Sequence, residues 1–164
     1  MNQKQQQAEG SISELKQMVT DVLFSVRGIS HQMMPLALQR FGFIKAIESL
    51  VDFTNENGEI KFRFENFNVE KTNLDDTAEV HLYRMMQELV SNIVKHSQAL
   101  EASIQLFMQG GKLKLLVSDN GVGMDSDTQS NGIGMLNLMS RADAIGASLN
   151  ITSNKGETVV KIIV

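Results

Sequence analysis

Four side chains in Gln87-Glu-Leu-Val-Ser-Asn-Ile-Val-Lys-His96 could do chemistry together: Glu88, Asn92, Lys95 and His96. At ~100° per residue on a helix they gather within about a third of a turn, beside an apolar stripe of Leu82, Met85, Met86, Leu89 and Ile93. A carboxylate, an amide, an ammonium and an imidazole on one face suit phosphate and metal chemistry. The amide oxygen can take a hard cation, while Lys and His offset anionic oxygens. The plainer alternative is a solvated face, because Glu, Asn and Lys commonly occupy helix surfaces. His81 and Arg84 flank the same side and read as surface residues.

Two glycine-bearing stretches follow. Leu115-Leu-Val-Ser-Asp-Asn-Gly-Val-Gly-Met124 sets Asp119 at the end of an apolar strand, with Gly121 and Gly123 just beyond it. A carboxylate fixed there can accept from an exocyclic amino group, and glycines let backbone approach a flat ring. Asp-Asn-Gly is also a common turn sequence, which is the alternative here. Asn131-Gly-Ile-Gly-Met135 opens a helix, where free N–H groups and the helix dipole favour phosphate. A lone Gly-x-Gly is a weak signal. The residues between Met124 and Ile133 are almost all polar, so that segment is expected to move and to close over a ligand.

The elements that would position these groups can be read from periodicity. Ile12, Leu15, Val19, Val22, Val26, Ile29 and Met33 keep a 3-4 spacing for three heptads, the seam of a coiled coil or bundle helix, and Pro35 ends it. A helix is expected over 39–54 and a turn at Asn55-Glu-Asn-Gly58. A strand then carries Ile60, Phe62, Phe64 and Asn66 on one face. A helix capped by Asp75 or Asp76 runs to about Ser97. Strands at 101–108 and 112–118 form a hairpin about Gln109-Gly110-Gly111. A helix near 135–145 and closing strands at 147–153 and 158–164 complete an α+β two-layer sandwich, with helices on one face of a mainly antiparallel mixed sheet. Residues 1–10 are polar and read as a frayed end.

Composition narrows the classes. The 164 residues are 42% hydrophobic, enough for one two-layer domain with an extra helix. A formal charge of −4 gives no basic surplus for nucleic acid, so any bound phosphate must be held locally. There is no cysteine, which removes thiol nucleophiles, thiolate metal sites and disulfides. No apolar run approaches the ~20 residues that span a bilayer, and the start has no signal-peptide core. The chain is expected to be cytoplasmic and to make no membrane contact of its own.

Taken together, the three boxes resemble those of the nucleotide-binding domain of sensor histidine kinases, the Bergerat ATP-binding fold shared with gyrase, Hsp90 and MutL. Gln87–His96, Asp119-Asn-Gly-Val-Gly123 and Gly132-Ile-Gly-Met-Leu-Asn137 match in order and spacing, and the resemblance covers about residues 30–164. It implies that ATP and Mg²⁺ are bound, with Asn92 coordinating a Mg²⁺ that bridges the phosphates. Glu88 would be the catalytic, base-like carboxylate, Lys95 and His96 would contact phosphates, and Asp119 would take the adenine amino group. Gly121 and Gly123 would shape the adenine pocket. Gly132 and Gly134, with Ile133 and Met135 of the same box, would bind phosphate and hinge the lid, and Thr158 would stand near the adenine aspartate. The family usually has Gly-x-Gly-Thr at the last turn, whereas Lys155-Gly-Glu-Thr158 has one glycine, which weakens the carry-over of Gly156 and Thr158.

The stretches His81-Leu-Tyr-Arg-Met-Met-Gln-Glu-Leu-Val90, Ser30-His-Gln-Met-Met-Pro35 and Arg40-Phe-Gly-Phe-Ile-Lys-Ala-Ile47 resemble the subgroup with a Leu-His-Asp-type phosphoacceptor box. That box does not occur in this sequence. Residues 11–35 would then be the second helix of the dimerisation bundle, with homodimerisation through 12–33, and 36–164 the ATP-binding catalytic domain. The implied partners are ATP or ADP, the protein's own dimerisation and phosphoacceptor domain, and a response regulator reached through a parent protein that could be membrane-anchored. Ser30-His-Gln-Met-Met-Pro-Leu-Ala-Leu-Gln39 superficially resembles the Ser-His-x-x-x-x-Pro-Leu box in which a sensor kinase carries its phosphorylated histidine. Only helix 39–54 and one strand separate His31 from the Asn92 helix, so there is no room for the second helix of an acceptor hairpin. His31 is therefore expected to lie at the joint between bundle and ATP domain. The competing readings are a free-standing anti-sigma-type serine kinase and binding protein of the same fold, an ATP-operated dimer clamp, and a degenerate domain without nucleotide.

Overall fold

The computed structural model describes residues 36–67, 69–70, 72, 74–124 and 133–164. The heptad helix 12–33, His31 and Pro35 lie outside the described residues, as do 125–132, including Gly132.

Helix α1 spans Leu36–Asn57, longer than the 39–54 expected, and is broken at Gly42 (φ 78°, ψ 174°), a conformation that only glycine adopts without strain. The turn expected at Asn55 does not form there. Asn55 stays helical, and its side chain brackets the strand that follows, Nδ2 donating to the Phe62 carbonyl at 2.9 Å and Oδ1 accepting from the Phe62 N–H at 2.8 Å. Strand β1 is Lys61–Phe67, with Phe62 buried and Phe64 half-buried. Asn66 is exposed and turns the chain instead, bonding both backbone groups of Val69.

Helix α2, Asp76–Asn92, is capped by Asp75, whose carboxylate accepts from the Ala78 N–H at 2.7 Å. The helix does not run on unchanged to Ser97. Residues Ile93–Ser97 form a π turn that ends at Gln98 in the left-handed region (φ 53°). Strands β2 (Glu101–Gln109) and β3 (Lys112–Asp119) form the expected hairpin, and both turn glycines have positive φ, 62° and 76°, as a two-residue primed turn requires. Helix α3 (Ile133–Ala144) starts earlier than expected, and β4 (Ser148–Asn154) and β5 (Glu157–Ile163) close the chain.

The five strands lie in the order β1-β2-β3-β5-β4. Only β1 and β2 are parallel, joined by the crossover that α2 provides; the other pairs are antiparallel. Inward-facing Ala102, Ile104, Leu106, Leu113, Leu115, Val117, Val160 and Ile162 are buried under the helices, together with Phe43, Ile47, Leu82, Met85, Met86, Leu89 and Leu138. Alternate residues such as Ser103, Gln105 and Phe107 are half-exposed, so the sheet is open on its other face. This is the two-layer α+β sandwich that the patterning predicts.

Helix α2 packs against both α1 and α3. That central position buries more of its circumference than one apolar stripe, and it corrects the reading of Arg84 as a surface residue. Arg84 is 7% exposed, and its Nη1 donates to Gln87 Oε1 at 2.9 Å. Burial, reinforced by the Arg141 guanidinium of α3, pulls its pKa down. His81 is half-buried, with its Nδ1 shielded from solvent and unpartnered.

Candidate functional site

At one end of the site, α3 begins against α2. A Cβ built at Gly134 would fall 2.4 Å from Glu88 Oε1 and 3.7 Å from Asn92 Nδ2, so glycine lets the first turn of α3 close on both side chains. Glu88, Asn92 and Gly134 are brought together, all half-buried, with Met135 buried beside them and Ile133 exposed. Lys95 and His96 are exposed on the π turn. Its wider i→i+5 bonding changes the phase of the spiral after Asn92, so the α-helical spacing that grouped all four does not carry past that residue.

The π turn connects to the other end through Ser97. Its Oγ donates to the Ile93 carbonyl at 2.7 Å and accepts from the Ala99 N–H at 3.0 Å. Its own carbonyl accepts from the Val122 N–H at 2.8 Å. A Cβ at Gly121 would fall 2.1 Å from that carbonyl oxygen, so position 121 has no room for any side chain. Gly123 has φ 83° and packs on the Asn154 carbonyl, 2.4 Å from where its Cβ would be.

Asp119 ends β3 at 7% exposure, and its Oδ1 accepts from the Gly121 N–H at 2.9 Å. Burial raises the pKa of this carboxyl, and the Gly121 bond partly offsets the rise. Next to it Asn120 Oδ1 accepts from the Leu100 and Glu101 N–H groups at 2.9 and 3.0 Å, fastening the loop to the start of β2. Thr158 stands opposite Asp119 in the β3–β5 register and is buried. Its hydroxyl lies 3.1 Å from Ser153 Oγ, which accepts from the Met124 N–H at 2.7 Å. A carboxylate acceptor beside a buried hydroxyl can read an edge that carries an amino group next to a ring nitrogen.

Sequence reasoning missed Ser97, Asn120 and Ser153. The signal for Ser153 was available. Counting outward from the Lys155-Gly156 turn pairs Asn154 with Glu157 and Ser153 with Thr158, which is the observed register. For Ser97 there was no such signal, because its role depends on the π turn. Among the described residues, no three His, Cys, Asp or Glu side chains converge as a metal cluster.

The profile of the family described as histidine kinase-, DNA gyrase B-, and HSP90-like ATPase matches residues 77–164. Sensor histidine kinase ComP of Bacillus subtilis is 29% identical over 159 residues, which is 95% of this chain and 20% of ComP. Signal transduction histidine-protein kinase/phosphatase DegS of the same organism is 31% identical over 128 residues, 74% of this chain and 33% of DegS. The chain thus spans a third or less of these relatives. The histidine kinase domain of the Erythrobacter litoralis blue-light-activated kinase has a similar fold, with TM-score 0.61 at 20% identity over 74% of this chain and 59% of that one. The match across 77–164 takes in all the polar residues described above from Glu88 to Thr158, and the chain belongs to the histidine kinase-, DNA gyrase B- and HSP90-like ATPase family.

Proposed function

We propose that the chain is the ATP-binding catalytic part of a two-component sensor histidine kinase. It would bind Mg-ATP and pass the γ-phosphoryl to a histidine of a dimerisation domain, for relay to a response regulator. The observation that carries this reading is the pairing of two unlike ends through Ser97: a buried acceptor with a hydroxyl at Asp119 and Thr158, and a carboxylate with an amide under a helix start at Glu88, Asn92 and Gly134.

Asp119 would accept the adenine amino proton, and Gly121 and Gly123 would let backbone lie against the ring. The free N–H groups at the start of α3 would face phosphate, and Lys95 and His96 would add positive charge from the exposed π turn. The donor set fits a magnesium ion, which needs one or two protein oxygens and completes its shell with water and phosphate. The Asn92 carboxamide oxygen would supply that contact, and the ion would neutralise phosphate charge. Glu88 would orient or deprotonate the attacking imidazole. Phosphoryl transfer asks mainly for positioning and charge neutralisation, which these residues can provide. Residues 11–35 would belong to the dimerisation bundle. No helix among the described residues is long and apolar enough to cross a membrane, which fits a catalytic part placed in the cytoplasm.

The test is to incubate the chain with γ-labelled ATP, alone and with a histidine-bearing dimerisation domain of this subgroup. Acid-labile label on the added domain, and none on the chain alone, is expected. Label on serine of an added protein, stable to acid, would favour the anti-sigma-type kinase.

A further inference from the structure

Ser153 lies outside every motif and belongs to β4, yet its hydroxyl is tied into the base end of the site. One of its two bonds has a direction fixed by proton counting. The Met124 N–H can only donate, so Ser153 Oγ accepts there, at 2.7 Å. Thr158 Oγ1 lies 3.1 Å away and either hydroxyl can be the donor there; when the serine proton points to Thr158, the Thr158 proton is released. With that polarity Met124 N–H, Ser153 O–H and Thr158 O–H form a head-to-tail chain of donors in which each bond polarises the next. Thr158 is buried and stands directly across from Asp119, whose carboxylate can only accept. In that polarity one proton donor and one acceptor sit side by side on adjoining strands.

We infer that Ser153 is a specificity-determining positioning residue of the nucleotide site, which turns the Thr158 proton outward beside the Asp119 carboxylate so that the pair selects a 6-aminopurine edge. This rests on the nucleotide-binding reading above. The 6-amino group donates to Asp119, and the adjacent ring nitrogen accepts from Thr158. In a 6-oxopurine both polarities are reversed: the oxygen faces a carboxylate and the ring N–H faces a donor. Without Ser153 the Thr158 hydroxyl loses its fixed direction, and the penalty on the 6-oxopurine relaxes along with the gain for adenine.

The experiment is calorimetric titration of the whole chain with Mg-ADP and with Mg-IDP, for the unaltered chain, Ser153→Ala, Ser153→Thr, Thr158→Val and the Ser153→Ala/Thr158→Val pair. Ser153→Ala is expected to weaken ADP about fivefold to tenfold while leaving IDP unchanged or stronger, and Ser153→Thr to keep the original preference. Thr158→Val, close to threonine in volume, reads the same chain of bonds should the Ser153→Ala fold be weakened. The double variant is expected to lose no more selectivity than either single one. A purely structural role would lower both affinities equally. An unchanged ADP-to-IDP ratio in Ser153→Ala, or additive losses in the double variant, would overturn the inference alone. Failure of the unaltered chain to bind either nucleotide would overturn the functional reading as well.

Discussion

The two ends of the site are built by different means. At Asp119 the parts are held by backbone: strand register sets Thr158 opposite, the Gly121 N–H bonds the carboxylate, and the Ser97 and Asn154 carbonyls wall in both glycines. At Glu88 and Asn92 the parts are side chains of one helix, α2, half-buried against the start of α3, with Lys95 and His96 exposed beyond them. The Asp119 end is therefore fixed by the fold itself. The Glu88 end rests instead on half-buried and exposed side chains.

Substitutions can break this contrast. The largest effect is expected for Gly121→Ala, whose methyl would collide with a backbone carbonyl that is itself fixed by Val122. The loss should be about 2–4 kcal/mol in chemical denaturation, with nucleotide binding lost alongside. Gly134→Ala meets only the tip of Glu88, which can swing away. Its stability should change by less than about 1 kcal/mol, while phosphoryl transfer falls because the carboxylate has moved. Equal destabilisation by the two would show that both ends are equally rigid.

Asn92→Ala should weaken Mg-ATP about 10- to 100-fold by calorimetry through loss of the cation contact. Asp119→Asn should weaken ADP about tenfold, since an amide can turn only one oxygen to both Gly121 and adenine. Its effect on the free protein has the opposite sign. Burial raises the Asp119 pKa, so the folded state holds this proton to higher pH than the unfolded chain does. The associated stability is full below the ordinary aspartate range and is lost as pH rises through the raised value. At neutral pH the buried charge is a net cost, and thermal unfolding of Asp119→Asn should occur at the same temperature or higher. ADP affinity should fall as pH drops through that raised value. The smallest effect belongs to Arg63→Ala, which removes a 3.3 Å pair with Glu101 whose side chains are 67% and 53% exposed. It should move stability by less than about 1 kcal/mol and leave both ends unaffected.

Much of the Asp119 end was legible because its groups adjoin in sequence: Asp119, Gly121 and Gly123 fall within five residues, and strand alternation fixes the facing of Asp119. The apolar stripe of α2 was legible for the same reason. What was not legible depends on neighbours distant in sequence. Arg84 looked exposed because one stripe cannot reveal that two helices flank α2. The grouping of Lys95 and His96 with Asn92 assumed a regular α spiral, which the π turn interrupts. The extension of α1 to Asn57 depends on Asn55 finding the backbone of Phe62, a pairing no local propensity encodes.

The division of labour is tested most directly by titrating ADP into the chain with and without Mg²⁺, for the unaltered protein, Asp119→Asn and Asn92→Ala. The expected result is that Asp119→Asn weakens ADP equally in both conditions, whereas Asn92→Ala weakens it only when Mg²⁺ is present. Unchanged affinity in both variants would contradict the assignment of the site.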